Sequence, residues 1–110
     1  MRLAFVCLAL ALPTTTLAAE KPLHIPSDPK ASYLVLEKGG SGSQRTIVTK
    51  RTGSSGTSYS KRLYDCSNGT VKYLGSSDSL DGMRRSKPDP RMGPIVEGSI
   101  AYYVGLEACR

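Results

Sequence analysis

Few residues in this chain could carry out catalysis. His24 is the only histidine. No second histidine or cysteine lies near it in the sequence, so neither a metal site nor a histidine-activated nucleophile can be assembled around it. Serines are abundant, yet none sits in a Gly-x-Ser-x-Gly turn. Asp65, Asp78 and Asp81 could supply paired carboxylates for acid–base work, but acids in polar stretches of this kind are read as solvated or turn-forming. The run Asp78-Ser79-Leu80-Asp81-Gly82 lacks the acidic density of a calcium loop. Gly39-Gly40-Ser41-Gly42-Ser43 offers successive backbone N–H groups, as phosphate cradles do. A phosphate loop continues with Lys and Ser/Thr into a helix, whereas here Gln44-Arg45 and a β-branched run follow. The chain therefore reads as non-catalytic, with no cofactor and no metal.

What the residues can do is bind anions. The cations fall into three groups: Lys50-Arg51, Lys61-Arg62, and Arg84-Arg85 with Lys87 and Arg91. Neighbours along a strand point to opposite faces, so each dipeptide offers only one charge to a given side. Arg84, Arg85, Lys87 and Arg91 lie instead in a polar stretch, and they are the candidate anion-binding set. Tyr59, Tyr64 and Tyr73 could line one face near it and stack on a ligand, the commoner alternative being that strand tyrosines pack with their hydroxyls at the rim.

The first nineteen residues have the order of an export signal. Met1-Arg2 supplies a positive charge, Leu3 to Leu12 is apolar, Pro13 breaks the run, and Leu17-Ala18-Ala19 ends in small residues. Cleavage is expected after Ala18 or Ala19, an uncleaved amphipathic anchor being the alternative. The ten-residue apolar block would rise roughly 15 Å as a helix, about half a hydrocarbon core, so no membrane span is expected after processing. Removing Arg2 with the leader leaves fourteen cations against nine acids, a net charge of +5. Outside the cytoplasm, in a periplasm or at a cell surface, such charge points to acidic glycan, lipid, or an envelope or host protein; nucleic acid is disfavoured there. Of three cysteines, Cys7 falls in the leader, leaving Cys66 and Cys109. An exported chain is expected to bridge them, free thiols or bridges to another chain being the alternatives.

The elements that must position these residues follow from periodicity. Residues 20–31 carry Pro22, Pro26 and Pro29 and read as an extended, poorly ordered lead-in. Tyr33-Leu34-Val35-Leu36 and Thr46-Ile47-Val48-Thr49 read as strands. In the next run Tyr64 and Cys66 share one face and Leu63 takes the other. Asn68-Gly69 suits a type I′ turn, pairing Lys61–Cys66 with Thr70–Leu74 as a hairpin. Residues 75–92 show no apolar period and read as a long exposed loop. From Pro94 onward Val96, Ile100, Tyr103, Val104 and Ala108 recur at helical spacing, and Gly98 and Gly105 would let such a helix lie close to the sheet. The expected fold is α+β over residues 32–110: a small antiparallel sheet of about four strands, one C-terminal helix packed on it, and a single disulfide from Cys66 to Cys109.

Lys61-Arg62-Leu63-Tyr64-Asp65-Cys66, a turn leading to Tyr73, then Gly98-Ser99-Ile100 and a closing Cys109 resemble small exported bacterial proteins of the surface-adhesin E-like type. The resemblance spans roughly residues 33–109 and implies a non-catalytic envelope protein that attaches to host or matrix molecules. This chain differs in having no tryptophan and in its long Pro/Arg loop. Ser55-Gly56-Thr57-Ser58-Tyr59 and Tyr64-Asp65-Cys66-Ser67-Asn68-Gly69 are also similar to pieces of periplasmic lysozyme inhibitors. There the Ser-Gly-x-x-Tyr segment follows the Tyr-x-Cys strand, and here it precedes it. That likeness implies an inhibitor of a secreted hydrolase, for which a +5 chain is a poor electrostatic match to a basic lysozyme.

Overall fold

Alternating β-branched, aromatic and polar residues extend far beyond the short apolar runs, and the strands they form are correspondingly long. The computed structural model describes residues 20–110, so the expected export signal lies outside the described residues. The elements are β1 (Lys21–Leu23), β2 (Ser32–Ser41), β3 (Gln44–Gly53), β4 (Gly56–Asp65), β5 (Thr70–Ser77), α1 (Leu80–Arg85), β6 (Gly93–Pro94) and α2 (Ile100–Ala108). The strands form one six-stranded antiparallel sheet in chain order, β1-β2-β3-β4-β5-β6. The α+β class, the antiparallel sheet and the Cys66–Cys109 bridge are as expected. About four strands and one helix is corrected to six strands and two helices among the described residues.

The two extra strands are short and unreadable by pattern. Lys21–Leu23 contains a proline and pairs along the edge of β2, a position where a missing N–H is tolerated. Residues 20–31, expected as an extended, poorly ordered lead-in, instead pack on the domain, with Ile25 buried in the core. Only Lys21–Leu23 is extended; the chain then turns, Asp28 N donating to Ile25 O and Ala31 N to Asp28 O. The segment is also tied down by charge. Arg51 Nε donates to Asp28 Oδ2 at 2.8 Å and the Tyr33 hydroxyl donates to the same oxygen at 2.5 Å. The Arg51 bond first, and the Tyr33 bond second, hold the Asp28 carboxyl below its ordinary range. β6 is only Gly93–Pro94, paired with Thr70 and Val71.

The sheet carries a helix on each face. On one, α2 covers Tyr33, Val35, Ile47 and Tyr64, which form the main core with Ile25, Val104 and Ala108. On the other, the shorter α1 buries Met83, beside Val48, Leu36 and Leu74. α1 falls within the stretch expected to be loop. Its six residues are too few to show a helical period, but Ser79 caps it, its hydroxyl accepting from Gly82 N at 3.0 Å. Proline at position 94 does not open the second helix. Ser99 caps α2, its hydroxyl accepting from Tyr102 N at 3.1 Å, and Val96 stays outside the helix at 67% exposure.

The β4–β5 hairpin forms, with Asp65 opposite Thr70, but not through a two-residue type I′ turn. Such a turn needs positive φ at both central residues, and only Gly69 has it (φ 64°). Residues 66–69 instead make a four-residue loop, closed by Gly69 N donating to Asp65 O at 2.9 Å. Asp65 Oδ1 accepts from Ser67 N and Asn68 N, each at 3.0 Å, a local side-chain substitute for backbone pairing. These bonds, led by that from Asn68, hold the Asp65 carboxyl below its ordinary range. The wider loop leaves room for Cys66 to meet Cys109, with Cα atoms 5.8 Å apart.

Candidate functional site

The register sorts the strand cations by face. Val48 pairs with Lys61, Lys50 with Tyr59, and Leu63 with Lys72. Each step from Lys50 to Lys61 to Lys72 therefore moves one strand across and two residues along, a diagonal over β3, β4 and β5 on the α1 side. Lys50 Nζ lies 5.9 Å from the Tyr59 ring centroid, a cation–π distance. Lys61 lines a cleft of about 470 Å³ between this face and α1, floored by Leu36, Val48 and Leu74 and edged by Arg84 and Glu37. Among the described residues, no carboxylate lies within 4.0 Å of the charged nitrogens of Lys50, Lys61, Lys72 or Arg84.

The four expected loop cations do not form one patch. Arg84 and Arg85 close the last turn of α1, where positive charge suits the negative helix end. Lys87 and Arg91 lie beyond the Ser86 cap, and all four side chains are exposed. Arg84 turns toward the α1-side cleft, whereas Arg91 lines a different cleft with Lys72, Tyr73, Asp89 and Pro94. Asp89 N donates to Tyr73 O at 2.9 Å, drawing the Lys87–Arg91 segment along the edge of β5. The tyrosines divide as well: Tyr59 lies on the α1 side, Tyr64 and Tyr73 on the α2 side.

Arg62 is the residue that composition alone could not single out. Bonded to its register partner Tyr73, it lies on the α2 side and is only 5% exposed. Nη1 donates to Thr49 Oγ1 at 3.1 Å and Nη2 to the Tyr73 hydroxyl at 3.0 Å, while Nε has no partner. The Tyr73 ring covers the guanidinium, its centroid 4.8 Å from Cζ. The alternation of Lys61 and Arg62 does reveal that they face opposite ways, but which side α2 covers depends on distant sequence.

Carboxylates are placed structurally. Asp65 organises its hairpin loop, Asp81 sits in the first turn of α1, and Asp78 accepts from the Ser77 hydroxyl at 3.3 Å. None of the three lines the cleft beside Lys61 and Arg84 or the cleft beside Tyr73 and Arg91. Among the described residues, no three histidine, cysteine or acidic side chains gather as a metal site would require, and no helix is long and apolar enough to cross a membrane. No family model, curated protein or solved structure matches the chain.

Proposed function

We propose that the chain is an exported, non-catalytic envelope or surface protein that holds an anionic partner, glycan or lipid headgroup or acidic protein, against its α1-side face. One observation carries this reading: Lys50, Lys61 and Lys72 form a diagonal, Arg84 shares a cleft with Lys61, and no carboxylate pairs any of the four among the described residues. Two acids elsewhere are paired internally, Glu107 with Lys21, Lys38 and Arg110, and Asp28 with Arg51. A row of half-buried lysines on a rigid sheet favours extended polyanions, since each partly exposed charge contributes little alone. The leader-like order of residues 1–19 and a disulfide support export.

The inhibitor reading gains little from the fold. Ser55 sits in the tight turn between β3 and β4, and Gly56–Tyr59 is already strand, with Thr57 paired to Thr52 and Tyr59 to Ser77. No separate loop projects there to enter a hydrolase cleft.

The test compares the wild type with Lys50→Gln/Lys61→Gln/Lys72→Gln on vesicles of anionic lipid and on immobilised acidic glycan. The wild type should be retained at low salt and released as salt rises, and the triple variant should be retained far less. Equal, salt-insensitive retention of both would refute the proposal. N-terminal sequencing of secreted protein should begin at Ala19 or Glu20, and an intact Met1 would remove export from it.

A further inference from the structure

On the opposite face, independent of the lysine diagonal, a small cleft of about 220 Å³ opens beside the first residue of α2. Its polar lining includes Thr49, Arg51, Ser58, Ser60, Arg62 and Tyr73. Arg51 spends its charge on Asp28, through Nε at 2.8 Å. Arg62 has no such partner: among the described residues no carboxylate lies within 4.0 Å of its guanidinium. Asp89, across Tyr73 in the neighbouring cleft, makes no ion pair with it. A cation this buried is ordinarily matched by an anion, because taking it out of water unpaired is costly.

The hydrogen-bonding balance points the same way. Both of Arg62's partners, Thr49 Oγ1 and the Tyr73 hydroxyl, accept from it, so each keeps its own O–H to donate. The Ser58 hydroxyl can rotate to donate, and the Ser60 and Ser76 hydroxyls, 3.4 Å apart, leave one O–H between them free to do so. The cleft thus holds a guanidinium with an unused Nε–H, several available O–H donors and one uncompensated positive charge. Only a ligand that accepts through several atoms and carries negative charge satisfies all of these. The N-terminal turn of α2 adds the positive end of a helix, Ile100 lying on the rim. Tyr73 is 42% exposed, and a modest rotation of its ring would uncover the guanidinium that it stacks on.

We propose that the Arg62 cleft binds a small oxyanion, a carboxylate, sulfate or phosphate group, with Arg62 as the charged anchor, Thr49 and the serines as neutral donors and Tyr73 as a movable cover. The cleft is too small for a whole oligosaccharide, so the ligand is either a free ion or the charged end group of a larger molecule. The lysine diagonal on the other face is not involved.

The test follows the Arg62 side-chain Nε–H resonance of the disulfide-bonded protein by NMR. Phosphate, sulfate, glucuronic acid and a sulfated monosaccharide are titrated separately, with chloride holding the ionic strength constant. At least one oxyanion should shift the Arg62 Nε–H and Tyr73 ring signals saturably. Ser60→Leu, which fills the cleft and leaves Arg62 in place, should weaken that binding at least about tenfold. So should Arg62→Lys, which keeps the charge but loses the fork, since a charged hydrogen bond of this kind accounts for a factor of roughly ten or more. Tighter binding of a sugar acid or ester than of the free ions assigns the site to a glycan end group, and the reverse assigns it to the ions. Shifts that never saturate, or Tyr73 ring shifts that persist unchanged in Ser60→Leu and Arg62→Lys proteins judged folded by their spectra, would overturn the proposal, as would the absence of any shift.

Discussion

Tyr64 and Gly105 are in direct contact where α2 crosses the sheet. A Cβ at Gly105 would fall 2.7 Å from Tyr64 Cε1 and 3.1 Å from Cδ1. The Tyr64 ring is fully buried and its hydroxyl donates to Ala101 O at 2.6 Å, one turn earlier on the same helix. Burial pushes the Tyr64 hydroxyl far above its ordinary range, so it remains a proton donor at every physiological pH. Glycine at 105 thus allows the close crossing, and the hydroxyl fixes its depth.

The two effects of Gly105→Ala oppose each other. Alanine favours the helix by about 1 kcal/mol, while forcing a methyl into a packed core costs about 1–3 kcal/mol. The ring cannot yield without breaking its bond to Ala101, so the steric cost should win. We expect a net loss of about 1 kcal/mol, a fall in Tm of roughly 4–8 °C in a domain of this size. A thermal melt checks it, and an unchanged or raised Tm would show that the helix can slide.

The Cys66–Cys109 bridge spans 43 residues and joins the end of β4 to the end of α2. Constraining a loop of that length in the unfolded chain is worth about 4 kcal/mol in the chain-entropy model. Replacing both cysteines by alanine should therefore lower Tm by well over 10 °C. α2 should loosen first, read as faster amide exchange at Val104 and Ala108 than at Ile47 in the sheet centre.

The sheet and the closing helix were legible because their signals are local. Tyr33, Val35, Ile47 and Tyr64 alternate with residues of the other face, and Val104 and Ala108 lie one helical turn apart. β1, β6 and α1 were not legible, because two or three residues, or six, carry no period. They exist through long-range pairing, as when Met83 is buried on the face of β3 and β5 that α2 leaves open. The site was half legible. Arg84 was visible as part of a charge cluster, but the lysine diagonal is a property of register, and register depends on where the turns close. Asp65 moved one such closure by drawing the amides of Ser67 and Asn68 to itself. Arg62 was hidden for a related reason: a strand arginine normally points to water, and only the placement of α2 buries this one.

Glu107 gives the fold a measurable acid limit. Lys21 Nζ lies 2.7 Å from its Oε1, Lys38 Nζ 3.8 Å from the same oxygen, and Arg110 Nη1 3.5 Å from Oε2. The Lys21 hydrogen bond, with help from the other two charges, holds the Glu107 carboxyl below its ordinary value of 4.5. A carboxyl lowered in the folded state stabilises it fully above the unfolded value, and that contribution is lost as pH falls through the folded one. Asp28 and Asp65 are lowered as well. Tm should therefore hold level above about pH 5 and fall steeply below about pH 4. Glu107→Gln should lower the plateau by roughly 1 kcal/mol, a modest amount because the cations are partly exposed, and should make the acid limb shallower. An acid limb of unchanged slope in this variant would place the titrating groups elsewhere.

The loop cations should differ from one another in a way that a simple charged surface would not show. Arg84 edges the same cleft as Lys61, at the middle of the diagonal, whereas Arg91 lines the cleft beside Tyr73, which reaches only Lys72 at the diagonal's end. If an anionic polymer lies along the lysine diagonal, Arg84→Gln should weaken retention on acidic surfaces more than Arg91→Gln does. Arg85→Gln and Lys87→Gln should cost less than Arg84→Gln, acting through long-range attraction alone. All four differences should shrink as ionic strength rises past physiological, where the screening length is about 8 Å. Because these side chains are exposed, stability should stay within about 0.5 kcal/mol of wild type in each case, so a binding loss cannot be ascribed to unfolding. Retention measured across a salt series for the four single variants checks the ranking. Four equal losses would mean that net charge alone governs attachment and that the register of Lys50, Lys61 and Lys72 has no part in it.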